Sequence, residues 1–392
     1  MAVTVIIALS AVGSVTAGAA LHATPSGQVG PGPAAPRSAI PWKLVGPGWA
    51  LALYNDGTTS PLAPTTSLYL VDPRGGKYSV RKWPANDRYL AGTPLADWTL
   101  QAWSGDGDRA LFTTTPTPQS PRQQVYQLDL KTGRGSSLTL PNGSTVVGYT
   151  RPRGAGILVL VGPGATHTSS VIYPRNPDNL AGPRRTVHLA GGGLGSAIYS
   201  ANGKLLAVPV VPGDLMLARN SGKVVRTLPV PDAMNCEPVR WWTASTILAS
   251  CNAQANDDYR LWLVPASGAR PAALTPQRPL SGPDQGDFSA WQLTRALYLN
   301  ARGPNCVGPR IAERLPRGHV LIIKVRGFGS AVVVAATGAR LLVRLSQPCQ
   351  GAGSSLGWFN PASRSLTTVL TMRDNGKDEV VGVLPYYVQG RR

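Results

Sequence analysis

Residues 67–83, SLYLVDPRGGKYSVRKW, place two alternating apolar runs on either side of a Pro- and Gly-containing turn. That pattern is the signature of a β-hairpin. The strip returns as VYQLDLKTGRGSSLTL (125–140), LMLARNSGKVVRTLPV (215–230), LWLVPASGARPAAL (261–274) and LGWFNPASRSLTTVL (356–370). Two more degenerate copies are VIYPRNPDNLAGPRRTVHL (171–189) and IAERLPRGHVLIIKV (311–325). A second hairpin accompanies the strip in phase, with turns beginning near Trp103, Tyr149, Tyr199, Trp242, Trp291 and Ala336. Four short strands recurring every ~40–50 residues mean a propeller or a solenoid.

Seven copies of the strip stand against six inner hairpins inside the chain. The first copy is entered at GWALALYNDG (48–57) without an inner strand, while a spare strand, EVVGVLPYYVQG (379–390), ends the sequence. It resembles TVVGYTRPRG (145–154), an inner strand elsewhere. Pairing residues 379–388 into the blade at 48–85 removes the exposed edges that invite aggregation. The expectation is an all-β, monomeric, seven-bladed β-propeller of four-stranded antiparallel blades over residues 42–392, its ring closed by the C-terminal strand. With 392 residues, 44 Gly and 36 Pro, the composition suits many short strands joined by turns.

Residues 2–21 carry no charge, and Ala17 and Ala19 offer a small-residue cleavage signature. Residues 1–23 are therefore read as a signal peptide or a retained membrane anchor, since about 20 apolar residues can span a bilayer. Residues 24–41, rich in Pro and Gly, read as a linker. The propeller is expected outside the cell or at its envelope. In that compartment four cysteines suggest two disulfides. Cys236 and Cys251 have position numbers with the same sum as Trp242 and Ser245, which flank a two-residue turn at Thr243-Ala244. Equal sums mean directly opposed residues, so a cross-strand bridge at about 5.5 Å Cα separation is expected. Cys306 and Cys349 fall in corresponding loops of adjacent blades and form the second expected pair.

WSGDGDRALF (103–112) and YSANGKLLAV (199–208) resemble the aromatic-Ser-x-Asp-Gly-Lys hairpin of TolB-like propeller repeats, cousins of WD40 repeats. In the turn logic of that motif, Asp-Gly and Asn-Gly supply the positive φ angles of a two-residue hairpin. The resemblance implies a propeller fold and an export-linked class. Members of such families are commonly interaction scaffolds, and some are lyases or hydrolases.

Residues for such chemistry are scarce. Gly353-Ser354-Ser355-Leu356-Gly357 fits the G-x-S-x-G motif, but all four His precede Ser355 and the residues after it read as a hairpin, not the required helix. AGGGLGSA (190–197) lacks the following helix that a phosphate-cradling loop needs. Asp106 and Asp108 belong to a turn, no C-x-x-C spacing occurs, and Glu237, Glu313 and Glu379 are the only glutamates. No catalytic residue, metal or cofactor is assigned. The formal net charge of +19 favours anionic surfaces, and without Lys/Arg blocks no specific nucleic acid is expected. The expected function is a non-enzymatic extracellular scaffold that binds a partner protein or an anionic envelope polymer. The alternative is a propeller enzyme acting on a carbohydrate or lactone. The long second-to-third-strand and inter-blade loops share one face, and the candidate binding residues there are His167, Asp257, Asp258, Arg302 and Arg310.

Overall fold

The computed structural model describes residues 32–57, 65–84, 89–94, 97–117, 120–161, 169–174, 185–187, 197–210, 213–219, 223–253, 259–276, 286–294, 296–303, 308–315, 320–347, 353–372 and 378–386. They form an all-β propeller of four-stranded antiparallel sheets. From innermost to outermost strand, the first sheet runs Glu379–Pro385, Ala50–Asp56, Thr65–Val71 and Lys77–Trp83. The second runs Trp98–Trp103, Arg109–Thr114, Gln124–Asp129 and Gly135–Thr139, and the third Ser144–Tyr149, Gly156–Val161, Ser169–Pro174 and Arg185–Val187. Next come Ile198–Tyr199, Leu205–Val210, Asp214–Arg219 and Val224–Leu228, then Asn235–Trp241, Thr246–Asn252, Tyr259–Pro265 and Ala272–Ala273. The sixth sheet runs Asp287–Gln292, Leu297–Ala301, Arg310–Arg314 and Val320–Ile323, and the seventh Ser330–Thr337, Arg340–Ser346, Ser354–Asn360 and Ser365–Leu370.

Alternation sends the side chains of each strand to both faces of its sheet, so each sheet buries apolar residues against two neighbours. Leu51, Leu70 and Trp83 of the first sheet share a cluster with Trp98 and Phe112 of the second. Comparable clusters join second to third, third to fourth, fourth to fifth, fifth to sixth and sixth to seventh. Leu342 and Trp358 of the seventh sheet pack with Ala50, Val71 and Val380 of the first. Tyr386, just past the C-terminal strand, stands edge-on to Trp103 at 5.1 Å and donates its hydroxyl to the Gly105 carbonyl at 2.9 Å.

One irregularity recurs. Six of the seven innermost strands carry an extra residue relative to the strand they pair with: Gln101, Val147, Val239, Phe288, Val334 and Val381. Such bulges raise local twist and leave backbone groups without ladder partners. In three cases the preceding sheet supplies the partner. The Val146 N–H donates to Gln123 Oε1 at 2.9 Å, and Asn300 both donates to the Val333 carbonyl at 2.9 Å and accepts the Val333 N–H at 2.8 Å. Ser354 Oγ likewise accepts from the Val380 N–H at 2.9 Å and donates to its carbonyl at 3.2 Å.

The end of the stretch read as a linker docks on the propeller. Ala35 bridges Tyr78 in parallel, through bonds to Lys77 and Ser79, and Ile40 is buried in the cluster between the first two sheets. Among the described residues no helix is long and apolar enough to cross a membrane; residues 2–21 lie outside them.

The turn logic of the two matching hairpins needs correction. Loops 105–108 and 201–204 have four residues, closed by Ser104 N–H to the Arg109 carbonyl and Ser200 N–H to the Leu205 carbonyl. Gly107 (φ 82°) and Gly203 (φ 69°) take the left-handed angles, whereas Asp106 and Asn202 do not. Instead their side chains accept from Ser104 and Ser200 hydroxyls and from the Asp108 and Lys204 N–H groups. The acid is there as an acceptor, not for its tolerance of positive φ.

Candidate functional site

The end of the fifth sheet nearest its second-to-third-strand loop is stapled. Cys236 and Cys251 are directly opposed and disulfide-bonded, with a Cα separation of 4.1 Å. This is the spacing of a non-hydrogen-bonded antiparallel pair, shorter than the expected separation. The expected register is right at the cysteines for a different reason. Trp242 N–H bonds the Thr246 carbonyl, making the turn three residues long, and the bulge at Val239 then restores the pairing.

Across the next strand Cys251 pairs with Arg260 and Asn252 with Tyr259. Tyr259 in turn bridges Gly286 at the entry to the sixth sheet. Gly286 has φ 100°, and a Cβ there would come within 2.3 Å of the Tyr259 carbonyl oxygen, so this close approach requires glycine. Arg302 completes the junction. Its N–H donates to the Gly286 carbonyl at 2.8 Å, and its guanidinium lies 4.2 Å from the centre of the Tyr259 ring. Arg310 pairs with Ala301 on the other side of the same second-to-third-strand loop. Thus Arg302 and Arg310 flank one loop, and Arg302 reaches the strand that begins one residue after Asp258.

Arg260 and Arg314 line a neighbouring cleft of about 310 Å³ with Leu274, Thr275 and Leu299, and among the described residues no carboxylate lines it. Arg260 donates Nε to the Thr275 carbonyl at 2.7 Å while lying 4.6 Å from the Trp262 ring centre, and Arg314 donates to the Leu274 carbonyl. On the innermost strands of these two sheets the described acids are Glu237, exposed, and Asp287, fully buried. His167, Asp257, Asp258, Cys306 and Cys349 lie outside the described residues, as does most of AGGGLGSA. Sequence reasoning missed Tyr259 and Arg260. An aromatic-Arg pair directly after an Asp-Asp loop is the signal that points to them.

Residues considered for catalysis have structural occupations. Ser355 is fully buried in a strand and its hydroxyl accepts the Met372 N–H at 2.8 Å. The glutamates sit on three different sheets. Glu313 accepts from Tyr298 and Arg364, each at 2.8 Å, and Glu379 lies 3.6 Å from Arg344. Burial and the Glu313 bond push the Tyr298 hydroxyl well above its usual pKa. Asp106 is ion-paired with Arg109 at 2.5 Å and Asp108 with Lys131 at 2.8 Å. Burial alone would raise the Asp106 carboxyl, but the bonds from Ser104, Asp108 N–H and Arg109 outweigh it and hold it below its usual range. Among the described residues no cluster of three or more His, Cys, Asp or Glu could hold a metal ion.

No protein-family model and no curated protein matches this sequence. Solved structures do. A prolyl endopeptidase superposes with a TM-score of 0.54 at 13% identity, over 81% of this chain but 47% of that one. The β-propeller domain of the Trilobed protease from Pyrococcus furiosus, described as having an open velcro topology, superposes with a TM-score of 0.51 at 11% identity, over 83% and 96%. TolB from Acinetobacter baumannii matches at 12% identity over 85% and 65%, with a TM-score of 0.45, too low to support an argument. Identities this small establish the propeller fold alone. The chain spans about half the length of the prolyl endopeptidase it matches.

Proposed function

We propose that the chain is a non-enzymatic, exported propeller scaffold whose loop face at the fifth and sixth sheets binds an anionic envelope polymer. In this reading the seven sheets are seven blades of one ring, closed where Glu379–Pro385 pairs with Ala50–Asp56. The expected pairing of Cys306 with Cys349, both outside the described residues, is kept in this reading.

The observation that carries the reading is Arg302 stacked on Tyr259 beside a disulfide-braced strand end, with Arg310 across the loop. A stacked guanidinium is held in place by its ring, and its planar fork has the geometry that matches carboxylate or phosphate oxygens. The net charge of +19 draws polyanions to such a surface.

The test is retention on immobilised polyglutamate and polyphosphate at several salt concentrations. Arg302→Glu with Arg310→Glu should release the protein at markedly lower salt with its melting temperature preserved. The control reverses Lys204 and Arg153, both exposed in tight turns on the opposite face. Arg109 is unsuitable for that control, being 8% exposed and ion-paired with Asp106. Loss of retention in the control alone would overturn the proposal.

A further inference from the structure

Arg240 sits near the tight-turn end of the innermost strand of the fifth sheet, one position beyond the bulge at Val239. Its neighbours on the strand divide between the two faces. Trp241 is buried in the cluster shared with the fourth sheet, whereas Val239 and Trp242 pack toward the sixth. The Arg240 guanidinium lies 5.3 Å from the Trp242 ring centre and 4.6 Å from that of Trp291, on the innermost strand of the sixth sheet. Two indoles from adjacent sheets therefore flank one cation.

Three other partly or fully buried arginines have oxygen partners: Arg109 has Asp106, Arg364 has Glu313, and Arg260 has the Thr275 carbonyl. Among the described residues Arg240 has neither a hydrogen-bond acceptor nor an acid, and its described contacts are the two indoles. Ring faces attract the cation but leave the five N–H donors at its edge without acceptors. Desolvation accordingly lowers its pKa to about 9, with no charged group contributing, and it remains cationic at neutral pH. A desolvated guanidinium whose N–H donors lack acceptors gains from pairing with an anion.

We propose that Arg240, clamped between Trp242 and Trp291, binds a carboxylate group of a ligand that enters between the innermost strands of the fifth and sixth sheets. The geometry of the guanidinium edge favours a planar anion. A carboxylate can lie coplanar with the guanidinium fork and accept two parallel N–H bonds. A tetrahedral phosphate would direct oxygens out of that plane, toward the indole walls. This site lies at the opposite end of the fifth sheet from Arg302 and does not depend on the loop-face reading. Reversal of Arg302 and Arg310 should leave it intact, so the two can fail separately.

The probes are sodium glucuronate and polygalacturonate, for free and polymeric carboxylates, with sodium phosphate and sodium chloride at matched ionic strength. The readouts are tryptophan fluorescence and melting temperature. Wild type should show a saturable fluorescence change and a rise in melting temperature with glucuronate, both absent with chloride and much weaker with phosphate. Response to the polymer alone would assign the carboxylate to a chain rather than a free acid. Arg240→Met should fold, melt at or above wild type in ligand-free buffer, and respond to none of the salts. Trp242→Ala keeps the charge and removes one wall, and should weaken glucuronate about tenfold. An Arg240→Met response equal to wild type, a phosphate response as strong as glucuronate, or no saturable response of wild type to either carboxylate would overturn the proposal.

Discussion

Asn300→Leu tests whether the bulged inner strands are held by side chains from the preceding sheet. Asn300 is 1% exposed, and its amide takes both the N–H and the carbonyl of Val333, one residue before the bulge at Val334. Leucine has the same branched side chain of four heavy atoms and is the bulkier of the two, so no cavity forms. The substitution instead leaves two backbone groups without partners, each costing about 1–3 kcal/mol, partly offset by the added apolar burial. A net loss of about 2–4 kcal/mol is expected, a large fraction of the 5–15 kcal/mol typical of a folded domain. Urea titration followed by circular dichroism would show it as a lower midpoint with little change in slope. Asn300→Asp, which keeps an acceptor but sets a carboxylate against the Val333 carbonyl, should be at least as damaging. A midpoint for Asn300→Leu corresponding to less than about 0.5 kcal/mol of loss, the scale of an inconsequential surface change, would refute the reasoning.

Two further outcomes follow from the same geometry. Asp106→Asn should cost only about 0.5–1 kcal/mol at neutral pH, because asparagine already plays the corresponding part at Asn202, while Asp106→Ala should cost more. The Asp106 pKa is depressed on folding, so its contribution is present above the unfolded value near 4 and disappears as pH falls through the folded value. The stability gap between wild type and Asp106→Asn should therefore close below about pH 4, and a gap that widens there would contradict the assignment. Truncation from Glu379 removes Val380, fully buried between the seventh and first sheets, and strips the inner partner from Ala50–Asp56. Cooperative thermal unfolding should be lost, and an unchanged transition would defeat the closure reading.

Much of the strand pattern was legible because turn chemistry and alternation are local. VDPRGGKY, LKTGRGS and FNPASRS each mark a hairpin that the structure contains. The bulges were visible only as an unexplained likeness. EVVGV and TVVGY match because each holds a bulge at its second valine, followed by Gly148 at φ 150° or by Gly382, where a Cβ would sit 3.3 Å from Leu100. The site was less legible. Arg302 and Arg310 could be placed on one loop, but the stacking on Tyr259 is a contact between sheets some forty residues apart, and no short-range pattern encodes it. Arg240 carries no sequence signal of its own beside Trp241 and Trp242, the adjacent aromatics that strand alternation sends to opposite faces. Sequence alone does not show which cation lacks an oxygen partner.

The clips at Val146, Val333 and Val380 all run the same way, from the second strand or the start of the third strand of one sheet to the inner strand of the next. The assembly therefore has a polarity. A blade cut from its successor keeps its own ladder intact, whereas a blade cut from its predecessor loses the groups that cover its inner edge. Fragments of this protein should accordingly differ in solubility by which end was removed. A duplicated sheet placed before the third, the seventh or the first would have to bring a Gln, Asn or Ser to meet the bulge that follows it.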